Sequence, residues 1–99
     1  MNMQKLMQEA QKMQAQLQKD QKELENTIYE GSSSSVNVKM NGKHEVMEVK
    51  LNLDEDFSTD DVEMLEDMLM VAINDAVKKI DKDKEKKMGK YGQGLSGLM

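Results

Sequence analysis

The side chains that could do chemistry here are one histidine, a serine run, many carboxylates and fourteen lysines. His44 stands by itself, because the chain has no cysteine and no second histidine to complete a metal site or a nucleophile pair. Its place beside a hairpin signal predicts an exposed loop histidine. Ser32, Ser33, Ser34 and Ser35 lack the strand-to-helix elbow that presents a nucleophilic serine. The carboxylates fall at helix starts and on helix surfaces, whereas catalytic pairs need burial to separate their pKa values. The acidic run does not follow the spacing of a calcium-binding loop. Gly92-Gln93-Gly94 is followed by neither strand nor helix, so it does not read as a phosphate-cradling turn. These residues predict no catalytic centre, no metal, no cofactor and no small-molecule substrate.

The lysines carry the remaining chemistry, which is attraction for phosphate. Arginine is absent, and lysine acts as a point charge without the fork that reads base edges. The formal charge of −5 counts against a generally basic nucleic-acid binder, but its distribution is polarised. Residues 54–77 hold nine acids and no lysine, and residues 78–90 hold seven lysines and three acids. The basic surface predicted there is Lys78, Lys79, Lys82, Lys84, Lys86, Lys87 and Lys90. Lys5, Lys12 and Lys19 are seven apart and form one stripe on an earlier helix, with Lys22 one turn beyond. The competing reading of both sets is a solvated helix surface, with late lysines matching the helix dipole. Three aromatics in the whole chain argue against recognition by base stacking.

The elements that must position these lysines are legible from periodicity. Met3, Leu6, Ala10, Met13, Leu17 and Leu24 step by 3, 4, 3, 4 and 7, a heptad seam with Asp20 at the missing position. This predicts a helix from Met3 to Asn26 whose narrow seam suits a partner helix. The alternative is packing on its own sheet. From Thr27 the period becomes two. Thr27 to Glu30 reads as a short strand and Gly31 to Ser35 as a flexible loop. Val36, Val38 and Met40 form a second strand, and Asn41-Gly42 signals a two-residue hairpin that would set Val36 opposite Met47. The returning strand places Met47, Val49, Leu51 and Leu53 on the apolar face, with Val46 on the other. Ser58 with Asp61, or Asp60 with Glu63, caps a second helix reaching Met88. Its apolar residues, widened by Met64, Met68, Met70 and Val71, predict burial on most sides.

The prediction is a single α+β domain over residues 1–88, a three-stranded antiparallel meander flanked by two long helices. A disordered glycine-rich tail is expected over residues 89–99. A chain of 99 residues has a marginal core by itself, and without cysteine a remedy is oligomerisation. The predicted homodimer interface takes Met3, Leu6, Ala10, Met13 and Leu17 from the first helix, Met68 and Ile73 from the second, and part of the sheet. No apolar run is long enough to span a membrane and no signal-peptide pattern opens the chain, so a cytoplasmic location is expected.

Taken in order, these pieces resemble the YbaB/EbfC family of bacterial nucleoid-associated proteins along essentially the whole chain. The resemblance is carried by Met7-Gln8-Glu9-Ala10-Gln11-Lys12-Met13-Gln14, by Val36 to Gly42 with Val49-Lys50-Leu51, by Leu65-Glu66-Asp67, by Ala72-Ile73-Asn74-Asp75-Ala76 and by Lys84 to Met88. It implies an α-β-β-β-α protomer, a homodimer, and binding of double-stranded DNA at the nucleoid. The family's basic helix positions map to Lys5, Lys12, Lys19, Lys22, Lys78, Lys79, Lys82, Lys86 and Lys87. Lysine where members often carry arginine points to phosphate contacts rather than base reading. The competing function is a protein-interaction module with no direct nucleic-acid binding.

Overall fold

The computed structural model describes residues 2–89. Helix α1 spans Met3–Asn26, a stretch rich in Gln, Lys, Glu and Met, all good helix formers. The Asn2 side chain caps it by accepting from the Gln4 backbone N–H at 3.1 Å. Strands β1 (Ile28–Ser33), β2 (Val36–Asn41) and β3 (Val46–Leu51) form an antiparallel meander in that order. A single 3-10 turn, Thr59–Asp61, leads into helix α2, Val62–Met88. Ser58 and Asp61 form the capping box, with the Ser58 N–H donating to Asp61 Oδ2 at 3.1 Å.

Helix α2 lies across β1 and β2. Its buried stripe is Ala72, Ala76 and Ile80, and these meet Val36, Val38 and Met40 from the central strand. Small residues make the approach close. A Cβ added at Gly31 would sit 2.1 Å from the Ala72 carbonyl oxygen and 2.5 Å from the Ala76 nitrogen. Only glycine lets β1 pass under the helix at that distance. Leu24 and Tyr29 complete the core where the end of α1 meets the end of α2.

The structure corrects four expectations. The strand β1 continues through Ser33, so Gly31 to Ser33 belong to the sheet and only Ser34-Ser35 turn, with Ser34 at φ 51°. The second hairpin is longer than two residues. Asn41 N–H donates to Glu45 O, the Asn41 side chain accepts from the Lys43 and Glu45 N–H groups, and His44 takes the positive φ of 66°. Gly42 is needed for space, since a Cβ there would lie 1.9 Å from the Leu24 carbonyl oxygen. The longer loop shifts the register, so Val36 faces Leu51 and Val38 faces Val49, and a bulge sets Val46 opposite Met40. Fourth, α2 is not covered all round. Met64, Met70 and Val71 are 60%, 57% and 54% exposed, because a single sheet can bury only one side of a helix.

The heptad gap at Asp20 marks where α1 changes surroundings. Asp20 and Leu24 are the helix's buried residues, and Gln16 donates to Asp20 at 3.0 Å. The turns before it project away, giving a body of 73 × 22 × 14 Å. The tail expected to be disordered lies, from residue 90 on, outside the described residues. Among the described residues no helix is long and apolar enough to cross a membrane.

Candidate nucleic-acid interface

The four lysines of α1 are all exposed. Lys5 and Lys12 ride on the projecting arm. Lys19 and Lys22 stand where α1 rejoins the body. There a shallow groove between the helix ends is lined by Lys19, Lys22, Glu23, Asn26, Thr27 and Lys87. The fold therefore brings lysines of both helices together at that point, although more than sixty residues separate them in sequence.

On α2, Lys78, Lys79, Lys82, Lys84 and Lys86 are exposed and Lys87 is half-buried. Lys78, Lys82 and Lys86 recur every four residues and share one face. Two of the predicted lysines are engaged with their own chain. Lys79 Nζ donates to the Glu30 carbonyl at 2.6 Å and pairs with Asp75 at 3.5 Å, clamping α2 to β1. Lys87 pairs with Asp83 at 3.4 Å. Lys90 falls outside the described residues.

A short polar chain fixes this end of α2. The Tyr29 hydroxyl donates to Asp83 Oδ2, and Asp83 in turn holds Lys87. Burial, then the bond to Asp83, pushes the Tyr29 hydroxyl up to about 12. The same bond, followed by Lys87, holds the Asp83 carboxyl below the usual carboxylate range. Asp75 is held down likewise, first by the Ser32 N–H at 3.1 Å and then by Lys79. Each contact ties β1 to the lysine-bearing half of α2 and sets where its charges point.

The acidic block occupies the opposite end of α2. Fifteen helical residues separate Asp67 from Lys82, roughly 22 Å at 1.5 Å per residue. The screening length at physiological salt is about 8 Å, so acids as far off as Asp67 are screened from Lys82, whereas Asp75 and Asp83 pair directly with Lys79 and Lys87.

Residues 1–95 match the model of the YbaB/EbfC DNA-binding family. The chain belongs to that family. Among its relatives, a nucleoid-associated protein of Chloroflexus aurantiacus is 48% identical over 99% of both chains. One of Ligilactobacillus salivarius is 42% identical over 99% of this chain and 95% of its own. The fold also matches an uncharacterized Helicobacter pylori protein with a TM-score of 0.68, 21% identity, and coverage of 100% of this chain and 99% of that one. The α+β architecture and the family read from the sequence both hold. The family is one of DNA binding rather than catalysis, in keeping with a sequence that carries no catalytic constellation.

Within this family member the residues predicted for pairing divide into two groups. Met3, Leu6 and Met13 are 74%, 49% and 61% exposed, and Ala10 is exposed beside them. Leu17 is half-buried. Met68 and Ile73 are partly spent on the protomer's own core, packed against Val36, Val38 and Ala72. Val46, Val49 and Leu51 lie on the face that α2 buries at β1 and β2, yet stay 46%, 45% and 44% exposed. The alternation of Val49 and Leu51 is visible in the sequence, but Val46, expected on the other face, reaches this one in place of Met47 only through the bulge, and the reach of α2 is not legible either.

Proposed function

We propose that this protein binds duplex DNA at the nucleoid as a homodimer, gripping the phosphates with lysine. Membership of a DNA-binding family supports the ligand. The observation that carries the mode is the groove where Lys19 and Lys22 of α1 meet Lys87 of α2. Lys5 and Lys12 extend the stripe along the arm, and Lys78, Lys82 and Lys86 extend it along α2. Lys79 contributes charge while its ammonium clamps β1. With no arginine in the chain, affinity rests on counterion release rather than base reading.

The second copy is supported by the open apolar face of β3. An edge strand with Val46, Val49 and Leu51 half-exposed is a liability unless covered, and a symmetric partner covers it with the same residues. A cytoplasmic location follows from this role.

The test is titration of the pure protein with duplex DNA at several salt concentrations. Binding should weaken steeply with salt. Replacing Lys19 and Lys22 with alanine should lower the log–log slope by about 0.9 for each phosphate that is no longer neutralised. No binding at about 50 mM salt, or binding indifferent to salt, would sink the proposal.

A further inference from the structure

We propose that Asp83 serves as a built-in stand-in for a DNA phosphate, holding Lys87 in the free protein and surrendering it when a duplex enters the groove. The inference rests on the DNA-binding reading and specifies how one lysine of that groove is regulated. Lys87 lines the groove with Lys19 and Lys22. Its ammonium lies 3.4 Å from Asp83 Oδ2, one helical turn back on α2. The same oxygen accepts the Tyr29 hydroxyl, which reaches it from the core. A carboxylate oxygen resembles a phosphate oxygen in charge and in the donors it takes. While Asp83 pairs with Lys87, it offsets the charge that the ammonium would present to DNA. The two side chains are 33% and 27% exposed, so the pair is shielded enough to hold Lys87 and open enough for a phosphate to reach it.

Tyr29 is what makes the exchange possible. When Lys87 turns to a phosphate, Asp83 keeps the Tyr29 hydroxyl as a donor, so no half-buried carboxylate is left bare. Tyr29 itself stays in place, because its ring packs with Leu24, Met40, Ala76 and Ile80. Lys79 shows the contrast. It too pairs with an acid four residues back, Asp75, but it also donates to the Glu30 carbonyl of β1. Turning Lys79 outward would strip that carbonyl of its donor and loosen the strand from the helix. Lys79 is therefore fixed where Lys87 is exchangeable.

The experiment is titration of the full-length protein with a fluorescent duplex at several salt concentrations, comparing the parent with Asp83→Asn, Tyr29→Phe and Lys87→Ala. Asparagine keeps an acceptor for the Tyr29 hydroxyl and removes the charge. Asp83→Asn should tighten binding about threefold to fivefold at about 50 mM salt and steepen the log–log salt slope by up to about 0.9. Tyr29→Phe should weaken binding about twofold to threefold, because Asp83 then has Lys87 as its remaining donor. Opposite signs separate an exchange from a loss of structure, which would move both variants the same way. In a Lys87→Ala background the gain from Asp83→Asn should vanish. The proposal is overturned if the parent binds DNA and Asp83→Asn binds no tighter, if both variants shift in one direction, or if the gain survives without Lys87. A parent that does not bind DNA overturns the DNA reading, and this proposal with it.

Discussion

Replacing Gly31 with alanine should cost this protein about 2 kcal/mol. The added methyl would lie 2.1 Å from the Ala72 oxygen, 2.5 Å from the Ala76 nitrogen and 2.9 Å from the Ala76 Cβ. Two of those atoms are helix backbone, which no rotamer change can move. To restore a separation of about 3.2 Å, α2 must rise by about 1 Å off β1, and that loosens Ala72, Ala76 and Ile80 together. Overpacking of this kind costs about 1–3 kcal/mol, and a backbone neighbour places it at the upper end. Against it, alanine restricts the unfolded chain and returns about 0.5–1 kcal/mol. For a domain of this size, each kcal/mol moves the melting temperature by about 4–8 °C, so Tm should fall by about 8–16 °C. The assay is thermal unfolding by circular dichroism at one fixed protein concentration, since self-association makes Tm concentration-dependent. Gly89→Ala is the control. It closes α2 with helical angles of −61° and −30° and nothing within 4 Å of an added Cβ, so Tm should stay level or rise slightly. A Gly31→Ala protein that melts at or above the parent would refute the close-approach argument.

Three further outcomes follow from particular contacts. Gly42→Ala should free the end of α1, because the new methyl meets the Leu24 carbonyl at 1.9 Å; hydrogen exchange should quicken over residues 17–26 more than in α2, and uniform exchange would count against it. The Tyr29 hydroxyl is raised on folding, so its contribution is whole below about pH 10 and is lost as the pH climbs towards about 12; Tyr29→Phe should remove this alkaline loss at a cost of about 1 kcal/mol at neutral pH, read by urea unfolding. Val49→Lys with Leu51→Lys should halve the solution mass at high salt while leaving the protomer's circular dichroism intact, because both side chains are already half-exposed; an undiminished mass would place the dimer contact elsewhere.

How much of the fold and the site is legible in the sequence depends on the range of the interaction. The heptad steps of α1, the capping box at Ser58 and the alternation of β2 are local patterns, and the structure keeps them. The turn at Asn41 departs from its local signal because Asn-Gly marks a tight hairpin only when nothing else needs the glycine. Here Gly42 is held by the Leu24 carbonyl, eighteen residues back along the chain, and His44 takes the positive φ instead. Likewise Gly31 reads as the start of a loop, whereas its missing side chain is what admits Ala72 and Ala76 from a helix forty residues on. Lysine positions can be read, but not that Lys79 is held by the Glu30 carbonyl while Lys19, Lys22 and Lys87 share a groove. Those outcomes depend on where α1 and α2 end relative to one another, which no local pattern encodes.

The length of the protomer carries a consequence for counting on DNA. A body of 73 Å laid along a duplex would cover about 21 base pairs at 3.4 Å each, close to two helical turns. Each protomer lying along the duplex would exclude other copies from the stretch it covers. Occupancy along a long duplex should therefore saturate in steps set by that ruler rather than by any base sequence.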